Sequence, residues 1–291
     1  MRRSLLFMPG NNPAMLQNSD VFDADGVIYD LEDAVSVTEK DAARILVSQY
    51  LDSLRRTPPM EIVVRINGLD TEYWEKDLQA VVSDKIDSIM LPKAQVCYLN
   101  QLDEELTKIE KAKGMTKKIN VIPIIELAVS VLQIDDIVKA PRVNGVLLGA
   151  EDLSSDLEVA RTKQGNEILF PRMRLAYACA AYKIDAIDTP FTDTNDNEGL
   201  EADCNFVANL GMNAKAAIHP NQVPVINGVF VPSAKNIDWA LRVEEASKQA
   251  AAKGLGVFSL DGKMVDKPVM DRARKILLKA RKYNLIDGEA E

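Results

Sequence analysis

Residues 26–33 read Gly26-Val27-Ile28-Tyr29-Asp30-Leu31-Glu32-Asp33, a short apolar run that ends in a cluster of acids. Hydrophobicity in the run, Gly26–Tyr29, is continuous rather than alternating, which is typical of a parallel strand covered on both faces. Seven other runs share this character. They are Leu5–Met8, Ile62–Ile66, Ser88–Leu91, Val121–Ile125, Val143–Leu148, Ala186–Ile187 and Ala214–Ile218. The sequence therefore predicts eight strands.

Segments with helical periodicity separate these strands. Between Glu39 and Leu54, apolar residues recur at three- and four-residue steps with polar residues in the gaps. Similar segments cover 73–83, 96–113, 128–138, 168–182 and 197–210. Strand and helix thus alternate about every thirty residues, the length of one βαβ unit. This pattern predicts the α/β class and a (β/α)8 TIM barrel, although a doubly wound open sheet gives a similar string.

The ends of the strands favour the barrel. Most runs finish in charged, glycine or proline residues, such as the acids at 30–33, Arg65, Glu126 and the stretch at 149–152. In a barrel these ends converge on one face, where catalytic loops lie. We predict that the barrel spans residues 1–231. Residues 232–291 then form an extension of a helix (238–253), a hairpin with an Asp-Gly turn (258–265) and a last helix (268–283). The extension is expected to pack on a neighbouring subunit, with its own barrel as the alternative.

Composition excludes several functional classes. The 291 residues have a net charge of −9, which argues against nucleic-acid binding, and include one histidine. A zinc site with several imidazoles is therefore excluded, and we interpret His219 as structural rather than as a general base. The three cysteines lie far apart, which suits reduced thiols in a cytoplasmic protein. No apolar stretch approaches the ~18 residues of a membrane span.

Glu126 and Asp152 follow neighbouring strands, so both carboxylates should stand at the mouth of the barrel. Two carboxylates without a nearby histidine suit Mg²⁺, although each could instead cap the helix that follows. Arg65 ends its own strand, where its guanidinium can hold a substrate carboxylate or form a structural pair with Glu32 or Asp33. Gly149 and Ala150 allow backbone to approach a ligand closely.

Eight stretches along the chain resemble the citrate lyase β subunit family. They are residues 2–10 (RRSLLFMPG), 29–35 (YDLEDAV), 39–44 (EKDAAR), 64–67 (VRIN), 91–93 (LPK), 148–152 (LGAED), 218–222 (IHPNQ) and 261–268 (DGKMVDKP). The match runs in order and nearly from end to end. The resemblance implies a (β/α)8 barrel of the superfamily that contains malyl- and citramalyl-CoA lyases and the HpcH/HpaI aldolases.

The resemblance also implies roles for individual residues. Glu126 and Asp152 become ligands of a Mg²⁺ cofactor, and Arg65 becomes the clamp on a substrate carboxylate. Backbone from Gly149 through Ala150 and Glu151 to Asp152 would hold the keto-acid portion of the substrate. Glu32 and Asp33 would line the pocket and orient Arg65 or metal-bound water. Asp266 matches a catalytic acid/base that relatives acting on malyl-type thioesters supply to a neighbouring subunit. One departure is Leu127, where the family usually has Ser or Thr.

The family implies a lyase that cleaves a citryl thioester to oxaloacetate and an acetyl thioester, in a homotrimer or hexamer. Its partners would be an acyl carrier protein and a transferase subunit. A citramalyl- or malyl-CoA lyase is the close alternative. A metal-dependent aldolase acting on free hydroxy-keto acids is less favoured, because such aldolases carry a histidine where this chain has Asp30-Leu31-Glu32-Asp33. A non-catalytic structural subunit is disfavoured because Arg65, Glu126 and Asp152 are all retained.

Overall fold

A computed structural model describes residues 2–54, 60–252 and 254–287. The chain divides into two compact units, Met1–Gly228 and Val229–Glu291. The first unit contains the predicted barrel, and the second contains the C-terminal helices and hairpin.

Eight parallel strands close the barrel in sequence order, and β1 pairs with both β2 and β8. They are β1 (Ser4–Pro9), β2 (Gly26–Asp30), β3 (Glu61–Arg65), β4 (Ser88–Leu91), β5 (Asn120–Ile125), β6 (Gly145–Leu148), β7 (Asp185–Asp188) and β8 (Ala214–Ala217). Each predicted strand is present, and no end is shifted by more than two residues. The predicted TIM barrel is therefore confirmed, and the open-sheet alternative is wrong because β1 and β8 are paired.

Alternate residues of the strands fill the barrel interior with aliphatic side chains, including Leu5, Ile28, Val63 and Leu147. The intervening residues face outward but are also buried, because helices cover the outer surface. Burial on both faces explains why the strand sequences are continuously apolar. The filled interior forces any ligand to bind at a rim of the barrel rather than within it.

Helices follow most of the strands. In the first unit they are α1 (Pro13–Gln17), α2 (Lys40–Ser53), α3 (Trp74–Val81), α4 (Val96–Ala112), α5 (Ala128–Leu132), α6 (Ile134–Ile137), α7 (Ala150–Asp156), α8 (Leu169–Tyr182) and α9 (Asn197–Leu210); α10 (Gln222–Val229) reaches the boundary between the units. None of the described helices combines the length and the apolar character that crossing a bilayer demands.

Two local predictions need correction. The single helix expected over 128–138 is two helices, because Gln133 leaves helical geometry and its side chain accepts the N–H of Val96. The helical periodicity marks no segment directly after β6, yet α7 begins at Ala150. Its seven residues include Glu151, Asp152 and two serines, so they show no apolar stripe long enough to recognise.

The second unit contains α11 (Ala234–Ala252), the strands β9 (Phe258–Leu260) and β10 (Lys263–Val265), and α12 (Lys267–Lys282). Both turn residues of the hairpin, Asp261 and Gly262, have positive φ angles of 51° and 74°, as a type I′ turn requires. The predicted hairpin and last helix are confirmed. The predicted end of the first helix, at residue 253, lies outside the described residues. A small apolar cluster that includes Ala240, Val265 and Leu277 holds this unit together. Packing of the extension on a neighbouring subunit stays a prediction, as does the boundary after residue 231.

A largely buried ion-pair network ties the outer face of the barrel to its helices. Lys215 of β8 donates to Asp188 of β7 and, at 2.6 Å, to Asp203 of α9. Arg172 of α8 binds the same Asp188 through two hydrogen bonds of 2.9 Å. Although burial opposes ionisation, Lys215 and Arg172 hold the pKa of Asp188 below its usual value. Each charge in the network is thus paired, as a dry interior requires.

Replacing Lys215 with Met should destabilise the protein by about 3–5 kcal/mol, because buried Asp188 and Asp203 would lose a counter-ion. The free energy of unfolding is measured by urea denaturation with linear extrapolation. Lys108→Met is the matched control, since Lys108 pairs with Glu105 on an exposed helix face and should change the stability little. Equal losses in the two variants would show that the buried network does not stabilise the barrel.

Candidate active site

A cavity of about 350 Å³ opens where the carboxyl ends of the strands converge. Its walls come from β1, β2, β3, β5 and β6 and from the segments that follow β7 and β8. Charged groups that line it include Asp30, Arg65, Glu126 and Asp152, and apolar groups include Phe7 and Leu147. The face predicted to carry the chemistry therefore holds a real cavity.

Arg65 is fixed at the cavity by Asp30. Its Nε and one terminal nitrogen donate to the two carboxylate oxygens of Asp30 at 2.7 and 2.6 Å, a bidentate pair. The strand register produces this pair directly, since Asp30 of β2 is the neighbour of Arg65 of β3. The guanidinium also lies over the ring of Phe7, 5.1 Å from its centroid.

The expected structural pair of Arg65 is present, and Asp30 is a further partner. Asp30 holds the guanidinium bidentately, while Glu32 and Asp33 lie at its remaining terminal nitrogen. The remaining terminal nitrogen lies 2.9 Å from Glu32 Oε2 and 3.7 Å from Asp33. The sequence shows Asp30 at the end of an apolar run, but only the register of β2 and β3 identifies it as the partner of Arg65.

Glu32 is a buried carboxyl group beside the cavity. Its Oε2 has no hydrogen-bond partner among the described residues, even though Arg65 is close, because the approach lacks hydrogen-bond geometry. Burial raises the pKa of Glu32 to about 7; Arg65 opposes the shift, and Asp33 and Asp30 add to it. Asp33 itself is largely exposed at the rim.

Glu126, directly after β5, is 3% exposed. Its carboxylate accepts the N–H of Lys93 at 2.5 Å, and Lys93 has a left-handed backbone with a φ of 48°. Burial raises the pKa of Glu126 to about 8, and the negative charges of Glu32 and Asp152 add to the shift against the Lys93 N–H and Arg65. The predicted pair of Glu126 and Asp152 does face one cavity.

Gly149 lets the backbone pass against Glu126. A Cβ at this position would lie 2.7 Å from both Cβ and Oε2 of Glu126, so no larger residue fits without displacing the carboxylate. The N–H of Gly149 donates to Ile125 O at 2.9 Å, and the N–H of Ala150 donates to Thr189 Oγ1 at 3.2 Å. Thr189, which also lines the cavity, was not among the predicted site residues.

Asp152 and Glu151 are exposed residues in the first turn of α7, and both line the cavity. Glu151 lies 3.5 Å from Arg161. Leu127 provides no side-chain cap for α5, where the family usually has Ser or Thr. Asp156, at the end of α7, accepts the N–H of Ala128, the first residue of α5, at 2.7 Å.

The remaining candidates, Asp266 and His219, make local contacts. Asp266 belongs to the second unit, where its carboxylate accepts the N–H of Val269 and caps α12. His219 is exposed, and its Nδ1 contacts the side chain of Asn221 at 2.7 Å, which fits the structural interpretation. The roles assigned to individual site residues stay predictions.

Comparison with known proteins identifies the family. The model of the HpcH/HpaI aldolase/citrate lyase family matches residues 3–220. The chain is 39% identical to the citrate lyase subunit beta of Leuconostoc mesenteroides subsp. cremoris, covering 99% of this chain and 96% of that protein. It is 33% identical to the L-malyl-CoA/beta-methylmalyl-CoA lyase of Cereibacter sphaeroides, covering 96% and 94%.

Two solved structures from Mycobacterium tuberculosis have the same fold. The protein CitE in complex with magnesium, acetoacetate and coenzyme A superposes with a TM-score of 0.78 at 30% identity, covering 95% of this chain and 97% of that one. A citrate lyase beta subunit complexed with oxaloacetate and magnesium gives 0.67 at 29% identity, covering 79% and 97%. With the family model spanning most of the barrel and full-length relatives above 30% identity, the chain belongs to the HpcH/HpaI aldolase/citrate lyase family.

Proposed function

We propose that this chain is a Mg²⁺-dependent carbon–carbon lyase that cleaves a citryl thioester to oxaloacetate and an acetyl thioester. The observation that carries the proposal is the pair of carboxylates that line one cavity, Glu126 and Asp152, beside Arg65, which Asp30 holds in place and whose remaining terminal nitrogen lies 2.9 Å from Glu32. Burial raises the pKa of both Glu126 and Glu32, and neighbouring carboxylates add to each shift, as expected at a site that binds a cation.

The donor set fits Mg²⁺. Glu32 Oε2 is buried without a hydrogen-bond partner in the described part of the chain, and Gly149 leaves free the space beside Glu126 Oε2 that a Cβ would fill. Within the described residues, no three Asp, Glu, His or Cys side chains are placed to hold a metal by themselves. Two carboxylates, Glu126 and Asp152, suffice in this proposal, because Mg²⁺ commonly takes one or two protein carboxylates and completes its shell with water and substrate oxygens.

The residues of the chain divide the chemistry among them. Glu126 and Asp152 would hold the ion, which when bound lowers the pKa of a coordinated hydroxyl and stabilises developing negative charge. Arg65, preoriented by Asp30, would neutralise a substrate carboxylate. Backbone and space at Gly149 to Asp152 would receive the keto-acid portion, and Glu32 and Asp33 would orient Arg65 and water at the rim.

The reaction also needs an acid/base group that moves a proton. As the carbon–carbon bond breaks, the hydroxyl passes its proton to the Asp266 carboxylate and becomes the ketone of oxaloacetate, and the bond electrons pass to the acetyl thioester as an enolate. A proton must then reach the enolate carbon. We assign this step to the carboxyl group of Asp266, supplied to the barrel of a neighbouring copy in a homotrimer or hexamer. The thioester arm would be borne by an acyl carrier protein, with a transferase subunit as a further partner.

The relatives support the thioester class. Those named above are a citrate lyase subunit and a malyl-CoA lyase, and one CitE structure holds magnesium together with coenzyme A. The citramalyl- and malyl-thioester alternatives share the same carboxylate and arginine chemistry, so they are separated by assay.

Incubation with citryl-CoA should release oxaloacetate only when Mg²⁺ is present, at a rate above those with citramalyl-CoA and malyl-CoA. Release of keto acid is followed with a coupled dehydrogenase. Asp152→Ala and Glu126→Gln should each lower kcat at least about 100-fold. Loss of a residue that only hydrogen-bonds to a metal ligand already lowers activity by about 10–100-fold. Asp136→Asn, an exposed acid in α6, is the control. Turnover of a free hydroxy-keto acid and of no thioester would refute the proposal.

The affinity for Mg²⁺ should rise with pH between about 6 and 9, because protons compete with the ion for Glu126, whose pKa is about 8. A carboxyl group with a raised pKa stabilises the folded protein while it is protonated. Stability of the metal-free protein should therefore fall as the pH rises toward 8, and Mg²⁺ should restore it. Titration calorimetry measures the affinity. Glu126→Gln should reduce the pH dependence of stability to the part that Glu32 contributes, whose pKa is about 7; an unchanged dependence would assign the titration to another group.

Mixed oligomers test the role of Asp266. Asp266→Ala and Arg65→Ala should each be inactive, and mixing the two after subunit exchange should restore partial activity, because some sites then combine an intact Arg65 with an intact Asp266. Arg65→Ala mixed with Asp152→Ala is the control, since both residues belong to one barrel and no complete site forms. If exchanged Asp266 mixtures stay as inactive as that control, the carboxyl group does not act between subunits.

A further inference from the structure

The N-terminus of α2 carries a buried lysine, although a positive charge is usually unfavourable at that end of a helix. Lys40 is the first residue of α2, yet its side chain is only 8% exposed. A cation at a helix N-terminus faces the positive end of the macrodipole, and burying an ammonium group costs free energy as well. Helix stability therefore does not explain the lysine at this position.

The contacts of Lys40 lead to the segment behind the cavity. Its Nζ donates to the carbonyl oxygens of Leu31 at 2.8 Å and Glu32 at 2.6 Å. Both residues follow β2 directly and carry the chain from Asp30 to the rim. Lys40 is thus bound to the backbone of the residue whose carboxyl group lies beside Arg65.

The same segment is held from its other side by Asp30. The Asp30 carboxylate accepts the N–H groups of Glu32 at 2.8 Å and Ala34 at 3.0 Å. Glu32 therefore has its N–H fixed by one charged group and its carbonyl oxygen by another. Since hydrogen bonds to charged groups are the stronger ones, this arrangement leaves the Glu32 backbone little freedom to move.

We propose that Lys40 is a positioning residue of the active site, which fixes the Glu32 and Asp33 segment so that the Glu32 carboxyl group stays beside Arg65 and the cavity. The inference rests on the proposed lyase function for its kinetic consequence. Lys40 itself touches neither the cavity nor the substrate; it acts through the backbone that it binds.

The chain offers a matched comparison in Lys113. Its Nζ also donates to two carbonyl oxygens, those of Gln79 at 2.9 Å and Val82 at 2.8 Å. These carbonyls lie at the C-terminal end of α3, where a cation is favourable, and α3 ends before β4 begins, at the opposite rim of the barrel. Lys113 thus makes the same kind of hydrogen bonds at the rim opposite the cavity, where their loss should change only the stability of the fold.

The test compares Lys40→Met with Lys113→Met in the full-length protein. Hydrogen exchange of the amides of residues 31–35 should speed up at least about tenfold in Lys40→Met and stay unchanged in Lys113→Met. With Mg²⁺ and citryl-CoA, kcat should fall about 10–100-fold in Lys40→Met, while KM changes less than about threefold, since an orienting interaction acts mainly on the chemical step. Lys40→Arg, which keeps the charge and the donors, should recover part of the loss.

Equal kcat losses in the two methionine variants, or unchanged exchange at residues 31–35 in Lys40→Met, would overturn the proposal. If Lys40→Met does not fold, Lys40→Gln is measured against the same criteria. Failure of the proposed function has a different signature, because the unsubstituted protein would then turn over no thioester. The exchange measurement still decides whether Lys40 holds the segment in that case.

Discussion

The carboxylate of Asp30 is the group on which the geometry of the cavity depends. It accepts two hydrogen bonds from Arg65 and one each from the backbone N–H groups of Glu32 and Ala34. A carboxylate has about four acceptor sites, so all of them are occupied. One buried charge therefore orients both the guanidinium that would bind the substrate and the segment that carries Glu32 and Asp33. The pair arises from the barrel itself, because parallel register makes Asp30 and Arg65 neighbours.

With Arg65 engaged in this way, the cavity has more negative than positive groups. Glu32 and Glu126 are almost fully buried, and Asp152 stands at the rim near them. Burial disfavours the charged forms of Glu126 and Glu32, and repulsion from neighbouring carboxylates adds to this, so the pKa values of both groups are raised. Either protons or a divalent cation can relieve it. The same electrostatic feature that makes the metal-free site take up protons thus makes it a good site for Mg²⁺, and it couples the two kinds of binding.

The sequence predicted the barrel because its signal is local and repeated. Continuous apolar runs, helical periodicity and polar strand ends each require only neighbouring residues, and they placed Arg65, Glu126 and Asp152 on one face. What the sequence did not reveal depends on register and packing between distant segments. Asp30 is chosen over Asp33 as the main partner of Arg65 by the pairing of two strands. Lys215 lies within a strand of alanines, and its partner Asp203 comes from a helix that only the folded chain brings near.

Two charged residues lie at the end of their own helix where the helix dipole disfavours their charge, and both bind the backbone of a neighbouring element. Lys40 begins α2 and binds the carbonyls after β2. Asp156 ends α7, where a negative charge is unfavourable, and accepts the first N–H of α5, two residues after Glu126. Asp152 lies one turn earlier on the same α7, so this bond ties the two carboxylates proposed for Mg²⁺ to each other through backbone. In both cases the charge fixes a distance that its own helix does not set, and both distances belong to the proposed site.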